Sequence, residues 1–255
     1  MDTNAYLSRL GLSPADVAFT SEFLCRLQYA HVTRVPYENL DIIEGRPLSL
    51  SHGALFDKIV TRRRGGYCFE VNALLKAFLK ELGFKVNSYF ARYLRGETSI
   101  PVRRHHVLAV EATDGVYVCD VGIGQTAPRY PLLLKEGLVQ QQGAETYKFE
   151  KDADLGWVLW EMRKGEWSRY FSFTEDVALD IDFIQPSFYC EMHPASPFNK
   201  TIIAAIKTPN GRKSIDDRTY KEFRGEEMIY IEENCSDTRL SEIFKEHFGI
   251  EWSVK

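Results

Sequence analysis

The chain has 255 residues and no C-x-x-C pair, and its five cysteines (Cys25, Cys68, Cys119, Cys190 and Cys235) are scattered. A structural zinc site is therefore not expected, and no metal is called for. No apolar run approaches the roughly 18 residues a membrane span needs. The opening residues, MDTNAYLSRLGLSPADV, lack the basic stretch and apolar segment of a secretory signal. A cytoplasmic setting with reduced thiols is the expectation, and a free thiol is what a cysteine nucleophile requires. Positive charge is not in excess: 32 basic residues face 36 acidic ones, for a net charge of -4. The sequence pI is near 5.9, which argues against a nucleic-acid partner. Repeats and low-complexity linkers are missing too. Histidine is scarce, with only six, so each one counts when a base is sought.

What is present is a foldable composition: 44% hydrophobic, 13% aromatic and 27% charged residues. This length and composition can bury an ample core in one large unit or in two to three small domains. The first third reads as helix. In LSPADVAFT, Ser13 is placed as an N-cap, Pro14 in the first helical position and Asp16 in the first turn. TSEFLCRLQYAHVTRV continues at near-helical spacing until Pro36 stops it. SHGALFDKIVTRR offers Ser51 as a cap. The segment from Cys68 carries Val71, Leu74, Leu75, Phe78, Leu79 and Leu82 on one face and stops at Gly83. From about residue 85 the period changes to two, with hairpin-type turns at ATDGV and RKGEW. Two strand-like runs flank PNG near the end, and TRLSEIFKEHFGI reads as a closing amphipathic helix. Helices followed by strands argue for an α+β fold rather than a doubly wound sheet.

The stretch RRRGGYCFEVN raises the first chemical question. Cys68 stands at the head of a helix, where unsatisfied N–H groups and the helix dipole favour a thiolate. Arg62, Arg63 and Arg64 add positive charge close by in sequence. The same N–H groups suit a developing oxyanion, and Gly65 and Gly66 permit close approach. An ordinary packed cysteine after a solvated basic turn is the competing explanation.

A thiolate nucleophile wants an imidazole and a group to orient it. His105 and His106 open one strand, and Asp120 lies near the end of the next, inside the otherwise apolar YVCDVG. Carboxylates are rarely buried unless paired, and a histidine on the adjacent strand would be such a partner. Because side chains alternate, only one of the two histidines shares a face with Asp120. An even-numbered loop at ATDG selects His105; a three-residue loop selects His106. GIGQTA mimics a dinucleotide fingerprint, but Pro128 and Pro131 follow where a helix would have to open, which rules that out.

RVPYENLDI, RRRGGYCFEVN, RRHHVLAVE, VCDVGIG and HPASPF occur in the order found in arylamine N-acetyltransferases, and on these motifs the chain resembles that family over most of its length. The resemblance implies three parts: a helical bundle (1–84), a central antiparallel β-barrel (85–190) and a C-terminal α/β lid (191–255). The first two would form a papain-like cysteine protease core. It also implies a Cys-His-Asp triad of Cys68, His105 and Asp120, since the family pattern of histidine, one variable residue and an aliphatic run ending at glutamate selects His105. His106 is the second choice. The implied reaction is ping-pong acetyl transfer from acetyl-CoA, the co-substrate, through an acetyl-Cys68 intermediate to an arylamine or hydrazine. Tyr37 and Phe198 are the implied acceptor contacts, with tyrosine standing where many members have phenylalanine. Gly122, Gly124 and Gln125 are the implied CoA contacts. A cysteine hydrolase or transglutaminase-like enzyme using the same triad is the alternative, and a fold-retaining binding protein is a further one. The small-molecule acceptor is the only partner implied, and nothing in the sequence speaks to oligomeric state.

Overall fold

The computed structural model describes residues 1–252. Helices come first: α1 (Thr3–Arg9), α2 (Ser21–Arg34), α3 (Leu40–Ile43), α4 (His52–Phe56) and α5 (Cys68–Glu81). Ser13 and Asp16 do form a reciprocal cap, but it supports only one 3-10 turn, because Val17 is already extended. Ser51 precedes α4 without a capping side-chain bond, and α4 passes into a wider turn over Asp57–Thr61. The bundle core joins Tyr6, Leu7, Phe23, Leu24 and Leu27 to the apolar face of α5, where Leu74, Leu75, Phe78 and Leu79 are all buried. Each such buried side chain contributes roughly 1.5–3 kcal/mol. Together they fix the axis of the helix that carries Cys68.

The strands that follow form an antiparallel sheet of eight, β5-β4-β3-β2-β9-β8-β7-β6. Its members are β2 (Val86–Tyr93), β3 (His105–Ala112), β4 (Gly115–Cys119), β5 (Leu132–Leu133), β6 (Gln140–Gln142), β7 (Glu145–Asp152), β8 (Gly156–Arg163) and β9 (Glu166–Ala178). The sheet curls into a nearly closed barrel. Its two edge strands are stitched by side-chain amides that imitate a ladder. Gln140 bonds both ways with the backbone of Leu133, and Gln142 does the same with Tyr130. Tyr89, Val107, Phe149, Leu159, Phe171 and Phe173 fill the interior.

A second sheet of five, β1-β10-β11-β12-β13, is built from β1 (Tyr37–Glu38), β10 (Ile203–Thr208), β11 (Gly211–Asp216), β12 (Thr219–Arg224) and β13 (Glu227–Glu232). Its first strand comes from the N-terminal region, so the last part of the chain is laced to the first rather than simply appended. The helix α7 (Asp237–Ile243), capped by Ser236, packs on it through Leu240 and Ile243, and the chain widens into a looser turn over Phe244–Phe248. Between the two sheets runs α6 (Ile184–Met192). A division at 190/191 would cut this helix, whose buried Cys190 packs in the same cluster as Tyr67, Cys68 and Phe69. No helix among the described residues is long and apolar enough to cross a membrane.

Candidate active site

Cys68 is the first residue of α5, and the chain reaches it through a turn that only small residues allow. A Cβ on Gly65 would stand 2.0 Å from the Pro36 carbonyl oxygen. Behind the turn lies a buried charge network. Arg64 pairs with Glu38 at 2.9 Å and with Asp41 at 3.3 Å, and Lys58 pairs with Asp41 at 2.8 Å and with Glu70 at 2.7 Å. Glu70 in turn accepts from the Tyr67 N–H at 3.1 Å, capping α5 from within.

This corrects the expectation that the arginines add free positive charge beside the thiol. Arg64 braces the turn and is neutralised there, and Arg62 pairs with Asp57 on the surface. Neither supplies free charge to the thiol. Burial pushes the Cys68 thiol well above the usual range, with Cys190 and Asp120 adding to the rise. The N–H groups of Phe69 and His106 pull against it. A thiolate here must therefore come from handing the proton to a base.

The register of β3 and β4 decides which histidine meets Asp120. Ala112 pairs with Gly115, so the hairpin loop is the two residues Thr113 and Asp114. With that even loop, His105 and Asp120 share a face, and His105 Nε2 lies 2.6 Å from Asp120 Oδ2. His106 points the other way. Its Nε2 lies 2.9 Å from Ser88 Oγ and its ring stacks on Phe183 with centroids 4.0 Å apart. Burial, with Lys76 and His105 adding to it, pushes its pKa well down, so it stays neutral.

Two polar residues that sequence reasoning passed over complete the frame. Asn72 lies one turn along α5 from Cys68. Its Nδ2 donates to Asp120 Oδ1 at 3.0 Å and to the His106 carbonyl at 2.7 Å, and its Oδ1 accepts from Val121 N at 3.0 Å. Gln28 on α2 accepts from Asp120 N at 3.1 Å and donates to the Pro128 carbonyl at 2.9 Å. The available signal was a fully polar amide inside an apolar helical face, at i+4 from the cysteine. Asp120 Oδ1 also accepts from Gly122 N at 2.8 Å. Oδ1 is thus occupied by two N–H donors, leaving Oδ2 for the imidazole.

Gly122 packs directly on Cys68: a Cβ there would stand 2.6 Å from Cys68 Cα. Gly124 packs on the ring of Tyr37. Gln125 turns away from the thiol, its Oε1 accepting from Arg212 Nε at 3.4 Å. Tyr37, held between Ala205 of β10 and Gly66, and Phe198, whose ring meets that of Tyr67 at 5.7 Å, both border the cluster around Cys68. Asn39 ties the two segments, donating to the Phe198 carbonyl at 2.8 Å and accepting from Ile203 N at 2.8 Å. A cavity of about 750 Å³ lies elsewhere, between residues 45–51 and α6, and Cys68, His105 and Asp120 do not line it.

A buried thiol at a helix start lies beside a nearly closed barrel that holds an imidazole–carboxylate pair, a combination of residue types found in cysteine-dependent acyl transfer. The family model described as N-acetyltransferase matches residues 20–255. The arylamine N-acetyltransferase of Mycolicibacterium smegmatis is 36% identical over 259 residues, covering 98% of this chain and 92% of that protein. The structure of the arylamine N-acetyltransferase from Salmonella typhimurium superimposes with a TM-score of 0.92 at 28% identity, covering 98% of this chain and 91% of that one. That of Mycobacterium marinum arylamine N-acetyltransferase in complex with CoA gives 0.90 at 31% identity, covering 98% and 93%. The chain belongs to the arylamine N-acetyltransferase family.

Proposed function

We propose that the protein transfers an acetyl group from acetyl-CoA to an arylamine or hydrazine in two steps, through acetyl-Cys68. The observation that carries this reading is the 2.6 Å contact between His105 Nε2 and Asp120 Oδ2. It uses one ring nitrogen and leaves Nδ1 as the nitrogen able to take a proton. In the first step His105 Nδ1 takes the Cys68 proton as the sulfur attacks the thioester carbonyl. CoA thiolate leaves and receives that proton from His105, and a new thioester forms on Cys68. In the second step the amine nitrogen attacks this thioester. His105 takes the amine proton and returns it to the departing Cys68 sulfur. A thioester is conserved in the first step, so the intermediate retains the reactivity of the donor.

Asp120 is a positioning residue: it holds the imidazole in the tautomer with hydrogen on Nε2 and stabilises the imidazolium. Asn72 and Gly122 fix the carboxylate, and the N–H groups at the start of α5 are placed to receive the oxyanion. Tyr37 and Phe198 would wall the acceptor, and Gly122, Gly124 and Gln125 would border the donor. Gly122 suits the last role because its missing side chain keeps the approach to Cys68 open.

The test is intact-protein mass after brief exposure to acetyl-CoA without acceptor, beside Cys68→Ala. One added acetyl on the wild type alone, discharged by an aminobenzoate, is expected. A thiol that reacts with iodoacetamide but never takes the acetyl group would reject acetyl-CoA as donor and return the hydrolase reading.

A further inference from the structure

The ends of α1 and α2 meet the turn that precedes the nucleophile segment on the outer side of the helical bundle. Arg9, in the last turn of α1, is buried, and its Nε donates to the Ile59 carbonyl at 3.1 Å. Arg34, in the last turn of α2, donates through Nη1 to the carbonyl of Leu10, the residue after Arg9. Arg63 leaves the Asp57–Thr61 turn that contains Ile59, and it is exposed, with a φ of 54°. Two hydrogen bonds thus tie Arg9 and Arg34 to the same end of the bundle, and Arg63 follows the Asp57–Thr61 turn to which Arg9 is bonded, close enough for its charge to act on Arg9.

Arg62 and Arg64, on either side of Arg63, each have a carboxylate partner. Among the described residues, Arg9, Arg34 and Arg63 make no ion pair, and the η nitrogens of Arg9 and the whole Arg63 fork meet no protein acceptor. Helix C-termini account for part of the charge, since arginines near them are stabilised. Each end carries at most about half a negative charge, so three ends offset only about half of the cluster. The remainder is self-repulsive: burial and then Arg63 pull the Arg9 pKa down to about 10, with Arg34 adding to it.

A separate observation concerns the preceding turn of the same two helices. Tyr6 Oη and both ring nitrogens of His31 are buried without a hydrogen-bond partner. Their rings are 6.2 Å apart, and Arg9 is close enough to perturb both. Buried polar atoms are nearly always partnered, by protein, water or a bound ion. Tyr6 and His31 precede Arg9 and Arg34 by three residues on their helices, so three unpartnered polar atoms accompany three arginines whose charge is only half offset, and together they point to a guest with oxygens.

We propose that Arg9, Arg34 and Arg63 form a binding site for a phosphate-type oxyanion, distinct from the Cys68 cleft. Planar forks each present paired N–H groups to such an ion, and a dianion cancels the charge that the helix ends leave. Its occupation clamps α1, α2 and the 57–61 turn together, and so steadies the bundle from which α5 presents Cys68.

The test is isothermal titration calorimetry of the whole protein at constant ionic strength, without CoA, whose own phosphates would compete for the site; binding in the donor cleft is told apart because Arg63→Gln leaves it unchanged. Inorganic phosphate and AMP serve as separate probes of a free ion and a phosphomonoester. Saturable binding of either is expected, weakened roughly tenfold or more in Arg63→Gln, the loss expected for one charge-assisted contact. Arg63 is exposed and outside the cleft, so acetyl loading of Cys68 should be unchanged in that variant. Arg34→Gln, checked for fold by circular dichroism, should weaken binding in parallel. Equal affinity in wild type and both variants, or no saturable binding of either probe, overturns the proposal.

Discussion

Replacing Asp120 with asparagine probes the positioning argument without changing the shape of the site. Two N–H donors, from Asn72 Nδ2 at 3.0 Å and Gly122 N at 2.8 Å, converge on Oδ1. An asparagine must therefore place its oxygen there. The reverse orientation turns an NH2 group against two donors and forfeits about 1–3 kcal/mol for each. With the oxygen fixed, the amide N–H2 faces His105 Nε2 and donates to it. That forces the imidazole hydrogen onto Nδ1, the nitrogen that the proposed reaction requires to receive the Cys68 proton. The base is then present, correctly oriented and already occupied. Loss of a carboxylate in this role costs about 10³–10⁴ in rate, or roughly 4–5.5 kcal/mol of activation free energy. The assay is rapid-mix acetyl loading of Cys68 by mass, with circular dichroism to show that the variant folds. A folded Asp120→Asn protein that loads acetyl at the wild-type rate would refute the tautomer argument.

The two histidines should separate cleanly: His105→Gln should lose nearly all acetyl loading. His106→Gln should keep it and pay about 1–3 kcal/mol in urea stability for its disturbed bond to Ser88; a dead His106 variant would show that the face assignment is wrong. Gly122→Ala puts a methyl 2.6 Å from Cys68 Cα. It should destabilise by about 1–3 kcal/mol and slow loading, and an unaffected loading rate would count against that contact. Lys58→Met leaves Asp41 and Glu70 each short of a buried partner and should cost about 3–5 kcal/mol in urea melts. His31 gives a pH signature: burial, with Arg9 adding to it, lowers its pKa from 6.5 to about 3. The unfolded chain then binds a proton that the folded one refuses, so stability falls as pH drops below 6.5. The loss reaches roughly 3 kcal/mol by pH 4.5 from this one group. His31→Phe should flatten that acid limb, and coincident acid transitions for variant and wild type would exclude His31 as its source.

Much of this was written in the order of the residues. The α5 pattern from Val71 to Leu82, the change of period near residue 85 and the turns at ATDG and RKGE depend on local spacing and turn chemistry, so they are legible without a structure. So was the candidacy of Cys68 and Asp120, because a cysteine at a helix head and a carboxylate in an apolar strand are locally anomalous. The choice between His105 and His106 was only conditional on the loop. The pairing of Ala112 with Gly115 decides it, since one residue more in the loop would turn the other ring toward Asp120. Tertiary structure alone decided the rest. Arg62, Arg63 and Arg64 are consecutive, yet one pairs with Asp57 at the surface, one is exposed without an ion-pair partner among the described residues and one is buried against Glu38. Charge adjacency in sequence says nothing of which carboxylates the fold will bring up. Asn72 and Gln28 read as incidental polar residues until two helices set them around Asp120. Likewise β1, two residues from the helical region, joins a sheet whose other strands begin at Ile203. Long-range pairing of that kind leaves no periodicity to read, because its partner is chosen by the packed whole and not by the neighbouring chain.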